Sequence, residues 1–135
     1  MVRTKNQIRG SKSKGASFEY DCQTSLKPSF PDIYRTSERG FQLQYDLQSD
    51  LNKTVFECKR HKKVSWNEAK KYFLKLKTKA PEYYTSYLLF KPNRQPCLVM
   101  YGSSHGIIVS EFENLFRTPF IKHKSTRNRG GKNDD

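Results

Sequence analysis

The sequence predicts an α/β fold, in which a mixed β-sheet of about five strands is flanked by helices. One observation is period-two alternation, since Phe41, Leu43 and Tyr45 are separated by glutamines, as in a strand with one buried face. A second is the helical spacing of apolar residues over 66–79. The third is order: predicted helices and strands are interleaved along the chain, which is typical of a sheet covered by helices.

The first predicted helix covers residues 14–26, where Phe18, Cys22 and Leu26 recur at four-residue intervals and Pro28 follows. Short apolar runs bounded by turn-forming residues predict the strands. These strands are expected at residues 33–36, 41–45, 54–59, 83–90 and 97–101.

Two S-x-x-E motifs predict the starts of the later helices, because the serine and the glutamate of such a pair satisfy free N–H groups at a helix N-terminus. Ser65 and Glu68 precede the helix over 66–79. Ser110 and Glu113 are expected to open a short final helix in the same way.

The chain has 135 residues and a formal net charge of +13, which suits one small domain with a polyanionic partner. We expect a single domain at 14–121 between flexible basic arms at 1–13 and 122–135. Nucleic acid is the first candidate partner. A membrane partner is not expected, because no strongly apolar helix face accompanies the lysines and no long apolar run is present.

The three cysteines stand far apart, without a C-x-x-C pair, which argues against a disulfide framework and against a zinc ribbon. Cys58 and His61, completed by Cys97 or His105, form an alternative metal set. Reduced cysteines packed as small apolar side chains are the favoured interpretation, and they indicate an intracellular protein. Lysine and asparagine usage is weakly indicative of an AT-rich genome, such as that of a virus.

The most informative segment is the predicted strand that carries Glu57 and Lys59. Side chains two apart on a strand point to the same face, roughly 7 Å from each other. A hairpin that turns near residues 49–53 would bring Asp46 beside Glu57, and Glu19 on the first helix supplies a third carboxylate. Converging carboxylates are hard oxygen ligands for Mg²⁺ or Mn²⁺, and a neighbouring lysine stabilises negative charge, so the set suits phosphodiester hydrolysis.

Four short motifs resemble the PD-(D/E)xK nuclease superfamily, and within it the archaeal-type Holliday junction resolvases. They are GASFE at 15–19, RTS at 35–37, YDL at 45–47 and FECK at 56–59. The resemblance covers roughly residues 10–100 and implies a restriction-endonuclease-like core. A departure is Tyr45, which stands where the superfamily motif has proline.

The resemblance implies an active site of Glu19, Asp46, Glu57 and Lys59, assisted by Ser37, with the three acids as ligands of Mg²⁺ or Mn²⁺. It also implies a homodimer that nicks symmetrically opposed strands of a four-way DNA junction. The expected DNA-binding residues are basic side chains of the N-terminal arm, of the arginine-containing strand and of the loop after Lys59, namely Arg9, Lys12, Lys14, Arg35, Arg60, His61, Lys62 and Lys63.

Several alternatives stay open at this point. Asp32 follows a proline and competes with Asp46 as the strand aspartate, although a turn role is favoured for it. Ser37 is as well explained as a turn hydroxyl. The activity could be that of another PD-(D/E)xK nuclease, acting on flaps or duplex DNA. A non-catalytic nucleic-acid-binding protein is the other class, with tyrosines such as Tyr83 and Tyr87 as stacking platforms.

Overall fold

The structure is a computed structural model that describes residues 17–40, 45–60, 63 and 65–122. It is an α/β arrangement: a mixed sheet of six strands with helices on both faces. The predicted basic arms lie outside the described residues, apart from residue 122.

The elements follow the predicted order, with one strand more than expected. They are α1 (residues 17–26), β1 (Tyr34–Arg35), a 3-10 helix (Thr36–Arg39), β2 (Leu47–Ser49), β3 (Thr54–Lys59), α2 (Trp66–Lys79), β4 (Thr85–Phe90), β5 (Leu98–Ser103), β6 (Gly106–Glu111) and α3 (Phe112–Phe116).

The strands lie side by side in sequence order from β1 to β6. All neighbouring pairs are antiparallel except β3 and β4, which are parallel. Parallel neighbours need a crossover connection, and α2 supplies it. The carboxyl ends of β3 and β4 therefore lie at the same edge of the sheet.

Each face of the sheet carries its own apolar core, because side chains on a strand alternate between faces. On one face Phe56 of β3 packs with Phe18 of α1 and Phe112 of α3, all at most 2% exposed. On the other face Val55 packs with Leu76 of α2. The strand β3 is thus buried between two helical layers, and its side chains are held from both sides.

The sequence prediction was wrong at β6. Ser110 does not cap α3: it lies in β6, where its hydroxyl pairs with that of Tyr101 at 3.1 Å. The N-cap residue of α3 is Glu111, without a side-chain hydrogen bond. Ser104 and His105 form the tight turn between β5 and this strand, and Gly106, with φ at 116°, begins the strand.

The strand predicted over 41–45 is absent at Tyr45, the one of these residues that the structure describes. Residues 41–44 lie outside the described ranges, Tyr45 and Asp46 form a bend, and β2 begins only at Leu47. Tyr45 packs with Val55 on the α2 side, which accounts for its apolar character without a strand.

The helix α2 agrees with its prediction at both ends. Ser65 accepts a hydrogen bond from the Glu68 N–H at 3.1 Å, and Ala80, just before Pro81, closes the last turn. None of the helices in the described part of the chain is long and apolar enough to span a membrane.

We expect Ser65→Ala to lower the free energy of unfolding by about 1 kcal/mol, because an N–H group of the first turn loses its acceptor. Urea denaturation measures the change. Ser104→Ala, in the exposed turn after β5, is the matched control and should shift the midpoint little. Equal effects of the two substitutions would contradict the capping role.

Candidate active site

The β2–β3 hairpin places Asp46 beside Glu57, as the sequence predicted. Leu47 pairs with Phe56, and the Asp46 N–H donates to the Phe56 carbonyl at 3.0 Å. Beyond this point the two strands separate. The Asp46 carboxylate fills the gap and accepts a hydrogen bond from the Cys58 N–H at 2.8 Å through Oδ2. The side chain is therefore fixed by the backbone of β3.

Glu57 and Lys59 share the face of β3 that α2 covers. Their side chains form an ion pair with 3.4 Å between Lys59 Nζ and Glu57 Oε2. The Lys59 ammonium lies 4.7 Å from the centre of the Tyr72 ring. Such a cation–π contact orients the ammonium, so the lysine stays beside the carboxylates.

Glu19 reaches the same place from α1, and Arg35 of β1 pairs with it at 3.5 Å between Nε and Oε1. The end of β1 is itself tied to Asp46, because Thr36 N–H donates to the Asp46 carbonyl at 3.0 Å. Arg35, expected to bind DNA, thus contacts the acid cluster. Three separate elements converge on it.

The three carboxylates resist ionisation. Burial, then the charge of Asp46, raises the pKa of Glu19 to about 7 despite the opposing charge of Arg35. Burial, then Asp46, likewise raises the pKa of Glu57 to about 7 against the pull of Lys59. Burial also raises the pKa of Asp46, although the Cys58 N–H favours its charged form. A hydrogen bond between Glu19 and Asp46 raises the pKa of Glu19 further and lowers that of Asp46, so Glu19 is the more readily protonated of the two.

The acids are suited to a divalent cation by their chemistry. In the ranges that the structure describes, no three His, Cys, Asp or Glu side chains are already arranged to coordinate one. Glu19 pairs with Arg35 and Glu57 pairs with Lys59 instead. A hard cation such as Mg²⁺ or Mn²⁺ would relieve the mutual repulsion of these oxygen ligands and favour their ionised forms.

The remaining predicted residues lie outside the acid cluster, either exposed near it or outside the described ranges. Arg60 and Lys63 are exposed directly after β3. Ser37 is exposed in the 3-10 helix, where its carbonyl accepts from the Gly40 N–H at 3.2 Å, and a catalytic role for its hydroxyl stays a prediction. Outside the described residues lie Arg9, Lys12, Lys14, His61 and Lys62.

Asp32 has a structural role, as favoured from the sequence. One of its oxygens accepts from the Ser49 hydroxyl at 2.6 Å, and the other accepts from the Leu51 N–H at 3.0 Å. Both contacts hold the β2–β3 turn. Burial raises the pKa of Asp32, but these hydrogen bonds outweigh it and the pKa is lowered.

The cysteines are free thiols, and Cys22 and Cys97 are buried as expected. A hydrogen bond links the Cys22 and Cys58 side chains behind the acid cluster. Burial raises the pKa of Cys22 to about 11, which makes it a poor thiolate ligand for a metal.

Sequence reasoning missed two contributors from α2. Tyr72 supports Lys59, and the charge of Lys79 favours ionised Glu57. Both residues belong to a helix whose lysines look like a solvated face in the sequence. The side chains of α2 that face the site are determined by how the helix crosses β3 in the folded chain.

Comparison with protein-family models, with curated proteins and with solved structures gave no match to this chain. The resemblance to nucleases therefore rests on the short sequence motifs alone.

We expect stability to fall as the pH rises from about 5 to 7 in the absence of divalent cations. Glu19 and Glu57 keep their protons up to about 7 when folded but lose them near 4.5 when unfolded, so ionisation in this window favours the unfolded chain. The stability present below the unfolded pKa is then lost, by on the order of 2 kcal/mol.

Thermal denaturation as a function of pH measures this loss. Glu57→Gln should flatten the profile, whereas Glu82→Gln, at an exposed site before β4, should leave it unchanged. Added Mg²⁺ should raise the midpoint of the wild type most above pH 7, where the carboxylates are free of protons. A profile of the same slope in wild type and Glu57→Gln would contradict the assignment.

Asp32→Ala should lower the free energy of unfolding by about 1–3 kcal/mol, because Ser49 and Leu51 lose their acceptor. The rise in thermal midpoint on adding Mg²⁺ should persist in this variant and be lost in Asp46→Asn. The reverse pattern would make Asp32 the metal ligand.

Proposed function

We propose that this chain is a metal-dependent DNA endonuclease with a restriction-endonuclease-like core, and that its preferred substrate is the four-way junction. The observation that carries the proposal is the convergence of Glu19, Asp46, Glu57 and Lys59 from α1, the β1–β2 connection and β3. A role in stability alone gives no reason to bury three carboxylates together, because their repulsion destabilises the folded chain.

The topology supports this proposal. The acids and the lysine lie where β2 and β3 separate, next to the parallel pair β3 and β4. The hydrogen bond from the Cys58 N–H and the ladder of β3 hold these carboxylates in place. The PD-(D/E)xK resemblance assigns the same residues to catalysis.

The cation fits the donor set at Glu19, Asp46 and Glu57. These residues would hold Mg²⁺, with Mn²⁺ as a substitute, through oxygens only. A bound cation supplies charge neutralisation and Lewis acidity at the scissile phosphate.

The chain's own groups perform the remaining steps. Lys59, held over Tyr72, donates a hydrogen bond toward the phosphate and stabilises the negative charge that develops in the transition state. Glu57, ion-paired with Lys59, would hold the cation next to that lysine. Arg35, paired with Glu19, keeps this carboxylate directed at the cluster.

The substrate assignment rests on charge and on the resemblance. With 26 Lys and Arg against 13 Asp and Glu, the chain is built to meet a polyanion. A homodimer presents two such sites related by a two-fold axis, which suits symmetrical nicks in opposed strands of a junction.

A cleavage assay in Mg²⁺ tests this proposal on a labelled four-way junction, a flap and a linear duplex. We expect symmetrical nicking of the junction by the wild type and a loss of at least about 100-fold in Glu57→Gln and Lys59→Ala. Glu82→Gln is the matched control and should cleave normally. Binding by Glu57→Gln should be equal or tighter, because one negative charge no longer repels phosphate.

The other outcomes separate the alternatives. Equal cleavage of all three substrates would make the chain a general nuclease. Tight binding with no cleavage in Mg²⁺ or Mn²⁺ would favour a non-catalytic nucleic-acid-binding protein, in which the two ion pairs serve only the fold. Loss of binding in Glu57→Gln would indicate a structural role for this carboxylate.

A further inference from the structure

A second group of basic residues lies at the carboxyl ends of the parallel strands β3 and β4. The Lys91 N–H, just after β4, donates to the Lys59 carbonyl at 3.2 Å, so Lys91 lies beside the end of β3. Leu89 packs against α1 and α3, and the alternation of side chains directs Lys91 to the same face. By the same alternation Arg60 follows Cys58 to this face, opposite to the one that bears Lys59.

A pocket of about 140 Å³ lies on this face, and Lys91 and Lys122 line it. Its floor is apolar and comes from Cys97, Phe112 and Phe120. The position of Lys122 is fixed by the residue before it, because the Ile121 N–H donates to the buried Ser25 hydroxyl of α1 at 2.7 Å. Both lysines are thus anchored to the core.

The positive charges here lack a counter-charge. Burial lowers the pKa of Lys91, and the charges of Arg60 and Lys122 lower it further. Glu111 and Glu113 line the same pocket, but among the described residues neither forms an ion pair with a lysine, and neither is among the charges that shift the pKa of Lys91. Cations that converge without an ion-pair partner are stabilised by an external anion.

We propose that Arg60, Lys91 and Lys122 form a binding site for a DNA backbone phosphate that flanks the scissile one. The proposal rests on the proposed function in that DNA is the ligand. The Lys59 carbonyl links the two places directly, so a strand whose phosphate lies at Lys59 passes the end of β3 and meets this cluster next. The pocket fixes the register of the strand, while the carboxylates act on the neighbouring phosphate.

The test compares two double variants that remove the same charge. One is Lys91→Gln with Lys122→Gln, and the other is Lys71→Gln with Lys75→Gln on the exposed side of α2. Fluorescence anisotropy in Ca²⁺ measures the dissociation constant for a four-way junction and a duplex over a range of salt. We expect about tenfold weaker binding for the first pair and a salt slope smaller by about 2, against less than about threefold for the second.

Two further arms make the test specific. Lys91→Arg with Lys122→Arg keeps the charges and should restore binding to within about twofold, which separates charge from fold. Junctions that carry one neutral methylphosphonate, placed in turn on each side of the nick, locate the contacted phosphate. At that position the methylphosphonate should weaken binding by the wild type. It should not weaken binding by the Lys91→Gln, Lys122→Gln variant any further than the two substitutions already do.

The outcomes distinguish this site from the proposed activity. Cleavage by the wild type with equal binding losses in both double variants would overturn the phosphate site and leave the nuclease standing. A loss of binding confined to the first double variant, with no cleavage by the wild type, would support the phosphate site and contradict the nuclease activity. A methylphosphonate profile identical in the wild type and the first pair would also overturn it, and absence of DNA binding at low salt would overturn both.

Discussion

The hydrogen bond from the Cys58 N–H to Asp46 Oδ2 is the contact on which the site depends. It forms because β2 separates from β3 and leaves a backbone donor of the buried strand without its ladder partner. A carboxylate is the strongest acceptor that can fill this position. Once Asp46 is fixed there, its charge adds to the effect of burial, and both together raise the pKa of Glu19 and of Glu57.

The sequence predicted the strand β3 and the helix α2 well because each has a strong local signal. Apolar residues in β3 alternate with Glu57 and Lys59, and a capping box and a proline bound α2. The same reasoning failed at Ser110, where the S-x-x-E spacing occurs inside a strand and the hydroxyl pairs across to Tyr101. A local sequence motif carries no information about a neighbouring strand that offers its side chain another hydrogen-bond partner.

Within the site, Asp46 and Glu57 were predictable because a short hairpin fixes their register, whereas the position of Glu19 depends on how α1 packs. The contributions of Tyr72 and Lys79 were not predictable, because they arise from the crossover of α2 above β3. The same limit applies to Lys91 and Lys122, which come together only when residues near the end of the domain return to α1.

The charge distribution gives these separate features a common cause. A chain with net charge +13 attracts a phosphate backbone over its whole surface, yet the buried carboxylates repel the phosphate that comes closest to Lys59. Under the proposed function, basic contacts such as Arg60 and Lys91 would hold the neighbouring phosphates and offset part of that repulsion. A divalent cation held by Glu19, Asp46 and Glu57 would offset the rest, so binding and catalysis would need different charges at places only a few residues apart. The proposal therefore requires the metal at the reacting phosphate rather than for attachment to DNA.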